Sequence, residues 1–126
     1  DRHFAQPTIE AIVDSLQSES DPDFVPWADK TRALLDKRSP TMLKVTLEQL
    51  RRGAGLSLAQ CFRQEYVLVQ ACFRQGDFIE GVRALIVDKD NAPRWNPPTL
   101  AAVSEADVAA FFSPPWPAGE HPLAHL

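Results

Sequence analysis

Three histidines, two cysteines and one oddly placed glutamate are the residues whose chemistry has to be weighed first. His121 and His125 stand at i, i+4 spacing, which on a helix puts two imidazoles on one face where a metal ion could be ligated. Pro122 separates them and Leu126 ends the chain, so this stretch reads as a frayed tail with no metal site. Cys61 and Cys72 are eleven residues apart. On one helix that is ~16 Å, beyond the ~7 Å between Cα atoms that a disulfide spans. Both read as small, buried apolar residues of a reducing compartment, and two thiols without a CxxC spacing make no zinc site. There is no GxSxG, no Gly-rich phosphate loop and no Cys–His pair in a recognisable context. No catalytic residue is assigned. The residues by themselves describe an interaction or assembly module.

Glu65 is the exception to a simple amphipathic pattern. Leu58, Cys61, Phe62, Leu68, Val69 and Cys72 predict an inward stripe, and steps of three and four residues from Cys61 and Leu58 land on Glu65. A carboxylate inside that stripe is costly unless paired. The expected partner is Arg83 on the following helix, set among Ile79, Val82 and Ile86, because a guanidinium fork holds a carboxylate through two hydrogen bonds. Another partner, or a perturbed catalytic acid, are the competing readings.

The elements that would position these residues are delimited by caps and breakers. Thr8 caps Ile9 to Ser18, with Ile9, Ile12, Val13 and Leu16 on one face. Asp21-Pro22 opens a segment carrying Phe24, Trp27, Leu34 and Leu35, and Pro26 can delay its start by a turn. Ser39-Pro40 starts Met42 to Arg52, ended by Gly53 or Gly55. Ser57 with Gln60 is a capping box for a long helix to Arg74, with Gly76 as its stop. Asp77 with Glu80 forms a second box, opening Phe78 to about Val87, and Ser104 with Asp107 starts a short helix through Phe112. Phe62, Phe73, Phe78, Phe111 and Phe112 are expected in the core. Trp95 is expected to pin a turn against a larger surface, and Trp116 either does the same or lies in an exposed tail.

Nothing alternates with period two over five residues, so the fold class is all-α, with about five to six helices and short connections. Seven of the 11 prolines lie at Pro93 or later, so the last part should be extended. The predicted division is a helical domain at 1–112 and a Pro-rich tail at 113–126. With 44% hydrophobic and 24% charged residues the composition is globular, and a net charge of −4 with no basic cluster makes nucleic acid and anionic membranes poor partners. No apolar run approaches the ~18 residues of a membrane-spanning helix. The first residue is Asp1, so the chain is expected to derive from something longer. The usage of Ala, Arg and Pro suggests a bacterial cytoplasm.

Asp77-Phe78-Ile79-Glu80-Gly81-Val82-Arg83-Ala84, followed by Asp88-Lys89-Asp90, Pro93 and Trp95, resembles the C-terminal signature of the crotonase superfamily. It is most similar to the 3-hydroxyisobutyryl-CoA hydrolase branch, which Ser39-Pro40-Thr41, Leu43-Lys44, Glu65-Tyr66 and Gln70-Ala71-Cys72 also resemble. One residue more than the general crotonase pattern lies between Ala84 and Lys89, which favours the hydrolase branch over the hydratases. The resemblance implies the C-terminal helical part of an acyl-CoA thioester hydrolase of valine breakdown. An upstream core would then supply the oxyanion hole and catalytic acids. It implies packing on that core, self-association as a homo-oligomer, CoA thioester as substrate and no cofactor. Lys89 would approach the CoA phosphate end, while Asp77, Glu80, Gly81, Arg83 and Glu65 would be structural. The C-terminal part of an enoyl-CoA hydratase/isomerase and a free-standing helical interaction module are the alternatives.

Overall fold

The computed structural model describes residues 2–117 and 119–126. Six α-helices follow one another: α1 Ile9–Gln17, α2 Val25–Leu35, α3 Pro40–Gly53, α4 Leu58–Gln75, α5 Asp77–Val82 and α6 Glu105–Ala110. A π turn, Arg83–Val87, continues α5, and a 3-10 turn covers Leu100–Ala102. Among the described residues there is no strand.

The helix ends follow side-chain chemistry. Thr8 and Ser39 accept hydrogen bonds from Ala11 N–H and Met42 N–H, and Ser57–Gln60 and Ser104–Asp107 form reciprocal capping boxes. Gly76, at φ 102°, closes α4 in the left-handed region that favours glycine. Two predicted starts differ. At α2 the Asp21 carboxylate accepts from Asp23 N–H in a turn, and the helix begins at Val25 with Pro26 in its first turn, where a missing N–H costs nothing. Asp77 makes no capping box; its carboxylate turns inward to a different task.

Helix α3 is the spine because it is apolar on two sides. Leu43 and Leu47 pack against Ile9, Ile12, Leu16 and Ala28 of α1 and α2. Met42 and Val45 pack against Leu68, Ala71, Phe111 and Val108 from α4 and α6. The chain from Pro93 onward crosses back over these helices, and Lys44 ties it down by donating to the Val103 carbonyl at 3.1 Å while pairing with Glu10 at 2.7 Å.

Asp77 is 3% exposed and joins three remote segments. It accepts from the Ser39 hydroxyl at the start of α3 and from Asn96 N–H at 2.9 Å in the returning chain, and its own N–H donates to Gln75 Oε1 at 2.9 Å. Gln75 reciprocates by donating to the Asn96 carbonyl at 2.7 Å. Each of the two oxygens of this buried carboxylate thereby accepts from one donor.

At the N-terminus, His3 is buried between Ser15 Oγ, 2.8 Å from Nδ1, and Glu19 Oε2, 2.9 Å from Nε2. The Asp21 N–H, above all, holds the Glu19 carboxyl down to about 2 against the opposing effect of burial, with Arg2, His3 and Ser20 adding to it. An ionised carboxylate only accepts, so Nε2 of His3 carries the proton. The sequence singled out no role for His3, because its partners lie 12 and 16 residues away.

Ser39 both caps α3 and satisfies Asp77. Ser39→Ala is therefore expected to lower chain stability by about 2–4 kcal/mol, combining a lost cap with a lost bond to a charged group. Urea denaturation monitored by circular dichroism checks this.

Candidate functional site

The residues singled out from the sequence gather in two places. One is the corner where α5, the π turn and the loop to Trp95 meet. The other is the outer face of α4.

In the corner, Glu80 and Arg83 stand three residues apart on one helical face. Arg83 Nε donates to Glu80 Oε2 at 2.8 Å and Nη2 donates to Oε1 at 2.7 Å. The same guanidinium donates through Nη1 to Asp88 Oδ2 at 2.6 Å and Asp90 Oδ2 at 2.8 Å, and through Nη2 to the Ala92 carbonyl at 3.3 Å. Glu80 also accepts from Arg94 N–H at 2.7 Å. The Arg83 hydrogen bonds, then that of Arg94 N–H, hold the Glu80 carboxyl down to about 2. Arg83 itself is raised by Glu80 first, then by Asp90 and Asp88.

Gly81 sits against the Trp95 ring: a Cβ there would lie 3.3 Å from a ring carbon. Trp95 Nε1 in turn donates to the Lys37 carbonyl at 3.3 Å. Trp95 thus pins its turn to this chain's own α5 and to the end of the α2–α3 connection. Between Ala84 and Lys89 the backbone follows the π turn, in which Asp88 N–H donates to the Arg83 carbonyl five residues back at 2.8 Å. Lys89 follows at φ 56°, exposed and without an ion-pair partner among the described residues.

The expected Glu65–Arg83 pair does not form. Arg83 is fully occupied by acids three, five and seven residues away, and Glu65 is exposed with no hydrogen bond among the described residues. The predicted inward stripe of α4 is buried only in part: Leu68 is inside and Cys61 and Cys72 are half-buried, whereas Leu58, Phe62 and Val69 are exposed. Val67, Leu68 and Ala71 are the buried residues of the helix. At 100° per residue Val67 stands half a turn round from Leu58. Leu58, Phe62, Val69 and Phe73 lie on the open side, with Phe62 49% exposed. Of the five phenylalanines expected inside, Phe111 is buried and Phe112 half-buried, whereas Phe62, Phe73 and Phe78 are exposed.

The tail is not frayed. His121 Nε2 lies 3.1 Å from the Arg63 carbonyl and Nδ1 accepts Leu123 N–H at 2.9 Å, while Arg63 Nε donates to the Leu123 carbonyl at 3.1 Å. The rings of Trp116 and Tyr66 pack on His121 at 4.9 and 6.0 Å between centroids. Both nitrogens of His121 are used by backbone, which leaves the ring no free lone pair for a metal. Cys61 and Cys72 are free thiols, half-buried, and burial pushes the Cys72 thiol up. Among the described residues no three His, Cys, Asp or Glu side chains are grouped to hold a metal ion, and no helix is long and apolar enough to cross a membrane.

These acids and cations satisfy one another, so the corner acts as a clasp for the chain that returns over α5. The sequence profile of the enoyl-CoA hydratase/isomerase family matches residues 1–112. The chain belongs to the enoyl-CoA hydratase/isomerase family. It is 46% identical over 111 residues to the mitochondrial 3-hydroxyisobutyryl-CoA hydrolase of Gallus gallus, covering 88% of this chain and 28% of that protein. The small ribosomal subunit protein mS47 of Arabidopsis thaliana is 38% identical over 118 residues, covering 90% of this chain and 29% of its own length. Among solved structures, a carnitinyl-CoA dehydratase from Mycobacterium thermoresistibile superposes with a TM-score of 0.80 at 41% identity, over 90% of this chain and 32% of that one. The chain therefore spans under a third of the length of these relatives, and within this enoyl-CoA hydratase/isomerase family member the signature residues build the clasp.

Glu80 ionises far more readily folded than unfolded, so its contribution to stability is present above about pH 4.5 and is lost as pH falls toward 2. Glu80→Gln is expected to lower the urea midpoint at pH 7 and to flatten its fall between pH 4.5 and 2. The fall due to Glu19 remains. Denaturation series at several pH values read both effects.

Proposed function

We propose that this chain is the C-terminal helical part of a CoA-thioester hydrolase resembling 3-hydroxyisobutyryl-CoA hydrolase, an enzyme of valine degradation. The 46% identity to the Gallus gallus hydrolase, running through the signature and the two helices before it, carries this reading. The reaction adds water across a thioester, releasing a 3-hydroxy acid and the CoA thiol. It needs donors for the carbonyl oxygen and an acid or base for the water. Every carboxylate at the corner of this chain is engaged in holding structure, which supports placing that machinery in the upstream core of the same polypeptide. This region then packs on the core and supports self-association of the parent as a homo-oligomer, and no cofactor enters the reaction.

Lys89 is the residue of this chain assigned to substrate. Its ammonium stands free at the end of the π turn, held forward by the left-handed backbone at φ 56°. A compact charge of this kind suits the phosphate end of CoA. A hydratase parent is the second reading, favoured by the likeness to the carnitinyl-CoA dehydratase. Assembly without catalysis is the third, favoured by the likeness to the ribosomal protein.

The full-length parent is expected to release CoA from 3-hydroxyisobutyryl-CoA and to leave crotonyl-CoA unhydrated. Both rates are read in one thiol-release and absorbance assay, and rapid hydration with no CoA release would select the hydratase. The chain alone is expected to release none. Lys89→Ala in the parent is expected to raise KM for the acyl-CoA severalfold with kcat retained, an effect that shrinks at high salt. An unchanged KM across salt concentrations would return Lys89 to the solvent.

A further inference from the structure

Helix α4 presents an apolar surface that nothing among the described residues covers. Leu58, Phe62, Val69 and Phe73 are 73, 49, 51 and 56% exposed, and they lie within about 60° of one another around the helix. The surface continues without a gap into α5, because the Phe73 and Phe78 rings meet edge to face at 5.0 Å and Ile79 adjoins them, 52% exposed. At the edge of this arc, between it and the half-buried Cys61 and Cys72, stands a single charge. Glu65 lies about 20° from Leu58 in projection, one turn beyond Cys61 and Phe62 and one turn before Val69. The exposed carboxylate is hydrated here. Covering the surface strips that water away, and a desolvated carboxylate without a partner costs several kcal/mol.

We infer that the part of the parent polypeptide outside this chain covers the α4–α5 surface, and that it seats one arginine guanidinium on the Glu65 carboxylate. This rests on the reading of the chain as one region of a longer protein. Two observations fix the occupant. The hydrolase relatives carry more than two thirds of their length outside the matched region, ample to cover a surface of this size. A second copy of the chain is unsuitable on charge. Among the described residues the surface holds no cation; Arg63, on the flank, is spent on the Leu123 and Ala124 carbonyls, Arg74 stands half a turn round α4 from Glu65, and Arg83 is spent within the clasp. Two such surfaces facing each other would bury two carboxylates with no donor between them. Arginine suits the place better than lysine, since its planar, weakly hydrated fork answers both carboxylate oxygens and stacks on the Phe62 ring one turn away.

The full-length parent tests both layers of this inference separately. Phe62→Asp is expected to lower its Tm by several degrees and to raise amide exchange along α4. Glu65→Gln and Glu65→Leu are each expected to lower the parent's Tm as well, because each leaves the arginine buried and unpaired. The same two Glu65 substitutions in the isolated chain are expected to leave its Tm unchanged, which excludes a local folding defect. If Phe62→Asp destabilises the parent while Glu65→Leu is neutral or stabilising, the surface is covered but the arginine is not there, and the charge assignment falls. If Phe62→Asp leaves both Tm and exchange of the parent unchanged, the surface is open and the reading of the chain as a docked region falls with it.

Discussion

A buried carboxylate carries the architecture. Asp77 takes the Ser39 hydroxyl from the start of α3 and the Asn96 N–H from the returning chain, while Gln75, at the end of α4, accepts from the Asp77 N–H and donates to the Asn96 carbonyl. Three segments far apart in sequence thus converge on one residue. Burying a charge is unfavourable unless donors are arranged around it, and the arrangement fixes geometry more sharply than apolar contact could. The angle at which α5 leaves α4, and hence the position of the Glu80–Arg83 clasp, follows from this point. So does the direction of the apolar surface shared by α4 and α5.

Helix boundaries were legible because their causes are local. A serine two or three residues before a free N–H, or a glycine at a left-handed position, acts within one turn, and the caps at Thr8, Ser39, Ser57 and Ser104 occur where they were expected. The family resemblance was legible for another reason: Asp77, Glu80, Gly81, Arg83, Asp88 and Trp95 each make a specific contact, several with one another, so the set is dense in identity over a short stretch. What those partners are was less clear from the residues. Asp77 paired with a serine 38 residues earlier, and no periodicity reports that.

The faces of α4 were not legible, and the reason is physical. The helix carries apolar residues on both sides, Val67, Leu68 and Ala71 on one and Leu58, Phe62, Val69 and Phe73 on the other. A hydrophobic stripe identifies a face that excludes water without saying whether this chain or another surface does the excluding. Glu65 was assigned to Arg83 on the assumption that the stripe faced inward. Proximity along the chain defeated that pairing, since Glu80, Asp88 and Asp90 reach the guanidinium with little loss of chain entropy. The tail misled in the opposite direction: prolines and a nearby terminus suggest fraying, but Trp116, His121 and Arg63 form an aromatic and backbone-bonded anchor on the flank of α4.

The π turn at Arg83–Val87 works as a shock absorber in the arithmetic of the chain. An α-helix that gains one residue must turn everything beyond it by about 100°. A wider loop of backbone swallows the same residue where it stands, and the two ends keep their bearings. Arg83 at the first position of the turn thus meets Asp88 and Asp90 after it, as their 2.6 and 2.8 Å contacts record. Within the bulge Leu85, Ile86 and Val87 face outward, at exposures of 65, 61 and 68%. The wide turn thus presents three outward-facing apolar side chains beside the clasp that Arg83 closes.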